Sequence, residues 1–125
     1  MDVFAQVYIV TRETFENEKD MITAFLTAEI KGWQDFVADS APAVDLAVNE
    51  YGKDSGLTES QQTKQADRQI ELLVTPDTEA NGLLTMSEEK IRSNLDTIDG
   101  LGIAASDDLF DTSILEAIYQ GKSSL

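Results

Sequence analysis

Only one stretch of this chain reads as a buried strand, and nothing else in the sequence is obviously available to pair with it. Val3, Phe4, Val7, Tyr8, Ile9 and Val10 form a β-rich run whose last four residues are continuously apolar, the pattern of a strand covered on both faces. A strand cannot satisfy its backbone N–H and C=O groups alone. The segment is therefore expected to pair with that of a second copy, or to draw neighbouring strands from sequence preceding Met1. Either way, the helical remainder should leave apolar surface where the rest of a sheet would lie.

That remainder is patterned for helices. Thr11 opens a polar turn, and Asn17 is a suitable N-cap for a helix whose first turn carries Glu18 and Asp20, acids placed well against the helix dipole. Met21, Ile22, Phe25, Leu26, Ile30, Trp33, Phe36 and Val37 then recur at spacings of three and four, a broad apolar stripe expected to form the spine of the core. Asp39 can cap the next helix, with Pro42 tolerated in its first turn, Val44, Ala47, Val48 and Tyr51 on its buried face and Gly52 at its end. Thr58-Glu59-Ser60-Gln61 is a capping box before a polar helix that turns apolar at Ala66, Ile70, Leu73 and Val74 and stops at Pro76. The stretch from Thr75 to Thr85 reads as a loop. Ser87 caps a helix bearing Ile91, Leu95 and Ile98 that closes at Gly100 and Gly102, and Asp111 starts a last short helix with Ile114, Leu115, Ile118 and Tyr119 inward. The expected architecture is mostly α with one or two short strands, in one domain over residues 1–125.

Charge narrows the partners. Against 24 acidic residues stand 9 basic ones, a formal charge of −15 that repels phosphate backbones and anionic lipid, so no nucleic-acid or membrane-surface role is expected. The charges are interspersed, as on a solvated surface, rather than blocked into an interaction tail. Cysteine is absent and gives no sign of redox compartment. Neither a basic-apolar leader nor an 18-residue apolar run occurs in the chain as given.

The order of elements from Tyr8 to Asp45, a short apolar run, the turn Thr11-Arg12-Glu13-Thr14 and a long helix containing Ala28-Glu29-Ile30-Lys31-Gly32-Trp33, resembles the return segment of ABC-transporter substrate-binding proteins. The branch is the one handling thiamine-pyrimidine precursors, nitrate, taurine and sulfonates. Further likenesses follow in the same order: Ala43-Val44-Asp45-Leu46, then Gly82-Leu83-Leu84-Thr85-Met86-Ser87 before a helix ending Asn94-Leu95-Asp96, then Asp107-Asp108-Leu109-Phe110-Asp111 before a leucine-bearing last helix. Together they cover almost the whole chain. The family more often has proline directly after the capping aspartate, where Ser40 stands here.

The resemblance implies a partial lobe of a two-lobed α/β periplasmic binding protein-like (type II) fold, with residues 1–11 as the hinge-return strand and residues 12–125 as the helical part. It implies capture of a small molecule of the pyrimidine, flavin-like, sulfonate or oxyanion class and its delivery to an ABC permease, without covalent chemistry or cofactor. A full-length protein of this kind is periplasmic, or extracellular and membrane-anchored. This chain would then be its C-terminal part, poorly able to bind ligand alone, and would pair as a homodimer through the exposed strand. Beside the hinge, Phe4 and Gln6 are the positions that could reach a ligand cleft, although Phe4 as a core aromatic and Gln6 as a solvent contact are the simpler reading.

Residues that carry enzyme chemistry are scarce. With no His and no Cys, the Ser-His-Asp, Cys-His and histidine-metal constellations are excluded within one chain, and no enzyme activity is expected. Glu29, near Phe25 and Trp33 on the stripe, could act as a general acid if desolvated, though a glutamate at a stripe's edge more often reaches solvent. Asp107, Asp108 and Asp111 suggest a hard cation but lack the alternating pattern of a calcium loop, and helix capping accounts for Asp111. Gly100-Leu101-Gly102 lacks the third glycine and preceding strand of a dinucleotide fingerprint, and Trp33 has the spacing of a core residue. The alternatives to a transport role are a self-contained acidic helical interaction module and a carboxylate-based metal hydrolase.

Overall fold

In the computed structural model, which describes Phe4 and residues 6–125, the longest element is a 20-residue helix, α2 (Lys19–Ala38). Its sequence holds no proline, and its three alanines, at 24, 28 and 38, have the highest helix propensity. Asp39 ends it in extended backbone (φ −154°, ψ 107°), and the Asp39 carboxylate then accepts the Ala41 N–H at 3.0 Å. Before α2 lies a one-and-a-half-turn helix, α1 (Arg12–Asn17), capped by the Thr11 side chain, which accepts the Thr14 N–H. Five further α-helices follow: α3 (Ala41–Asp45), α4 (Glu59–Leu73), α5 (Pro76–Asn81), α6 (Glu88–Gly100) and α7 (Ser113–Tyr119), with a π-helical turn at Leu46–Tyr51 continuing α3.

The core forms where α2 crosses α7. Leu26 and Ile30, four residues apart on one face of α2, pack with Ile114, Leu115 and Tyr119 of α7, and Ile30 is fully buried. Phe15, Ile22, Leu84 and Ile118 close around them. A second, smaller contact joins α3 and the π-helical turn to α4, where Val44 and Ala66 are buried.

A polar and steric lock fixes the last helix. Tyr119 donates its hydroxyl to the Leu83 carbonyl at 2.8 Å, and its ring lies so close over Gly82 that a Cβ there would sit 2.3 Å from the ring. Gly82 itself adopts φ +104°, and Leu84 follows at φ +67°, a left-handed leucine held by its packing against the core.

Three expectations are corrected. Gln6 to Val10 is not a strand: among the described residues there is no strand or sheet, and the fold is all-α rather than a partial α/β lobe. Val7, Tyr8, Ile9 and Val10 are exposed, and no other described segment pairs with their backbone groups. Val3 and the other positions of the expected hinge strand at 1, 2 and 5 lie outside the described residues. The segment Thr75 to Thr85 is partly helical, because Thr75 and Thr78 form a reciprocal capping box and Pro76 sits at the first helical position, where its missing N–H is not needed. The polar turn after Thr11 is α1, which moves the start of α2 from Asn17 to Glu18.

Burial is sparse for the chain's size. The surface exposed is 9098 Å², whereas a compact monomer of 13.7 kDa exposes about 6,600 Å² on the usual scaling. Much of the surplus is apolar, from Val7 to Val10, Met21 and Phe25 at one end to Tyr51 and Leu72 elsewhere.

Two glycines should respond to alanine in opposite directions. Gly82→Ala meets both the Tyr119 ring and an unfavourable φ and is expected to cost about 2–4 kcal/mol. Gly32→Ala, within α2 with nothing in the way of a Cβ, should gain about 0.5–1 kcal/mol. Urea midpoints of the two variants check this, and a Gly82→Ala midpoint equal to the parent's would refute the lock.

Candidate functional site

The N-terminal residues singled out by sequence are held as a strap across three elements. Phe4 donates its backbone N–H to Asn94 Oδ1 of α6 at 2.7 Å, and its ring meets Phe110 edge-on, with centroids 5.4 Å apart. Four residues on, the Tyr8 ring meets Phe25 of α2 edge-on, again at 5.4 Å, and its hydroxyl donates to Glu29 Oε2 at 2.7 Å. Arg12 reaches Asp108 at 3.5 Å, an exposed pair at the strap's far end. Phe4 is thus a half-buried anchor rather than a free ring, while Gln6 is exposed.

Asn94 makes the strap's firmest attachment. It is 5% exposed, the one buried polar residue among those described, and both ends of its amide are used: the oxygen accepts from Phe4 and the nitrogen donates to the Lys90 carbonyl at 2.8 Å. The sequence reading passed over it. Its signal was a polar residue three after Ile91 and four before Ile98, on the apolar face of α6.

Glu29 is half-buried, and its carboxylate accepts the Tyr8 hydroxyl. Burial chiefly, and then the Glu29 carboxylate, hold the Tyr8 phenol above its ordinary value. Asp107, Asp108 and Asp111 do not converge. Asp111 accepts the Ser113 N–H at 2.9 Å, Asp108 is drawn below the usual carboxylate range by the Ser106 hydroxyl and by Arg12, and no metal-holding group occurs among the described residues. Trp33 packs edge-on against Phe36 at 5.5 Å, and Gly100 and Gly102 serve the end of α6.

Two clefts open on the surface, neither lined by Phe4 or Gln6. The larger, of 360 Å³, lies between the start of α6 and α7 and is bordered by Thr85, Ser87, Thr112, Glu116, Tyr119 and Lys122. The smaller, of 180 Å³, sits between α2 and α4, with Phe36, Val44 and Ala66 below Gln62, Gln65 and Gln69. Bound small molecules usually occupy enclosed apolar pockets of about 300–1,000 Å³ with a few convergent polar groups. Both clefts are open, and the larger one's polar groups are largely turned on one another or on backbone, as in Thr112 to Glu116 and Tyr119 to Leu83. Comparison with protein-family models, curated proteins and solved structures finds no match to the chain. No membrane-spanning helix occurs among the described residues.

Removing the Asn94 amide should loosen the strap without unfolding the core. Asn94→Ala leaves the Phe4 N–H without its acceptor and is expected to cost about 1–3 kcal/mol. The near-ultraviolet dichroism of the Phe4–Phe110 pair should weaken while far-ultraviolet helicity stays, and an unchanged aromatic signal would show that Asn94 does not hold the strap.

Alkali should unfold the protein through its tyrosines. Burial raises Tyr119, as it does Tyr8, above 10.0, because the phenolate is the form that the fold disfavours. Their contribution is therefore complete below the unfolded value near 10 and is lost as pH rises through the folded values. Tyrosinate absorbance and helicity should change together above that pH, with the helical transition moved in Tyr119→Phe. Complete tyrosine ionisation with helicity intact would contradict this.

Proposed function

We propose that the chain serves in the solute-binding component of an ABC importer, which captures a small molecule and hands it to a permease, and that its own part is helical support rather than ligand contact. Support comes from the ordered run of motifs across almost the whole sequence and from the absence of His and Cys, which leaves little for covalent chemistry. The observation that carries the reading is the uncovered apolar surface. An exposed area of 9098 Å², with Val7 to Val10 bare beside Met21 and Phe25, belongs to a chain that works against further protein. On this reading the cleft lies outside this chain, the ligand is of the pyrimidine, flavin-like, sulfonate or oxyanion class, and the setting is extracytoplasmic.

The all-helical fold with a core of its own favours a second reading, a self-contained acidic interaction module without enzymatic activity. Sequencing the genomic locus separates the two. The transport reading expects neighbouring permease and ATPase genes and a frame that continues upstream of Met1 through a signal peptide. A stop codon and ribosome-binding site directly before Met1, with no transporter genes nearby, would overturn it. Under the transport reading, calorimetric titration of the chain with the thiamine pyrimidine, riboflavin, taurine and nitrate should give no saturable heat.

A further inference from the structure

The strap leaves a row of unused hydrogen-bonding groups on an apolar support. From Gln6 to Thr11 the backbone runs without helix, turn or bend, and the positive φ values among non-glycine residues fall elsewhere, at Leu84 and Gln120. Among the described residues, no backbone N–H or carbonyl from Gln6 to Val10 has a hydrogen-bond partner in the protein. The strap is nevertheless held in place, before this gap by Asn94 and Phe110 at Phe4 and within it by Phe25 and Glu29 at the Tyr8 side chain. Beneath it, Phe25 of α2 meets the Tyr8 ring and stays half exposed, while Ile9 on the strap is 86% exposed. A pinned, straight, unpaired backbone flanked by β-branched side chains is what an incoming extended chain requires.

We infer that residues Gln6 to Val10, with Phe25 beside them, form a docking site for one extended peptide segment of a different protein, apolar at alternate positions and flanked by cationic residues. Backbone pairing specifies an extended occupant, because a helix has already used the donors and acceptors that this strap would need to meet. Charge specifies its flanks. The strap from Gln6 to Val10 carries none of its own, but it sits on a chain of formal charge −15, so a second copy would bring the same charge back against it whereas lysine or arginine flanks would be attracted. The site spans five residues, about 17 Å of strand, a length suited to peptide capture rather than to a large permanent interface. The inference rests on the strap's geometry and on the interaction-module reading, since the transport reading gives the same surface to further parts of its own protein.

The test uses the whole chain and a synthetic peptide of alternating valine and threonine with two lysines at each end, carrying a fluorophore for anisotropy. Saturable binding is expected, weakened at least about tenfold by replacing the lysines with glutamates and abolished by the double variant Ile9→Pro, Val10→Pro. That variant removes one N–H from each edge of the strap at two exposed positions, and unchanged helical dichroism verifies that it still folds. An alanine-rich helical peptide with the same lysine flanks should not compete. Equal binding of the helical peptide, or undiminished binding by the double proline variant, would reduce the effect to charge attraction and overturn the proposal. Sedimentation showing the chain alone to be a dimer that the proline pair makes monomeric would equally overturn it, since the occupant would then be a second copy.

Discussion

The packing of Leu26 and Ile30 against Ile114, Leu115 and Tyr119 is the interaction on which the rest of this structure depends. Short helices are unstable alone, and α7 has only seven residues, so it persists because its apolar face is covered by α2 and because the Tyr119 ring and hydroxyl are fixed on the turn at Gly82 and Leu83. The lock in turn places α5 and the start of α6. α1 joins the same centre through Phe15, and the strap is then stretched from α6 to α2.

The long helix therefore serves two clients with different rows of side chains. Ile22, Leu26 and Ile30 face the core, while Phe25 and Glu29, four residues apart, meet the strap at Tyr8. The first row is covered and the second is half bare. This asymmetry gives the molecule a stable centre and an unfinished side at once.

Much of this was legible in advance, for physical reasons that differ by element. The stripe from Met21 to Val37 marked α2 because three- and four-residue spacing over so many turns has no other reading. Ile114, Leu115 and Tyr119 were likewise placed inward correctly. The run Val7 to Val10 was misread, because continuous apolar residues report that a segment wants cover, not that cover exists. Turn-forming residues between Thr75 and Thr85 masked α5, whose reciprocal threonine caps stabilise a helix that composition alone argues against. Asn94 was missed because a polar residue on an apolar face attracts notice only once its partner, ninety residues away in the chain, is known. Of the candidate site residues, Phe4 is half-buried against Phe110 and stands outside the core cluster, and nothing local to Gln6, which is exposed, distinguished it from an ordinary solvent contact.

Hydrogen exchange of the monomeric chain, followed residue by residue, tests this account most directly. Amides of α2 around Leu26 and Ile30 and those of α7 should exchange slowest and together, while Val7 to Val10 should exchange at close to the rate of an unstructured peptide. Slow exchange across Val7 to Val10 in the monomer, or fast exchange throughout α2, would contradict it, because either result would move the stable centre away from the α2–α7 contact and remove the unpaired strap.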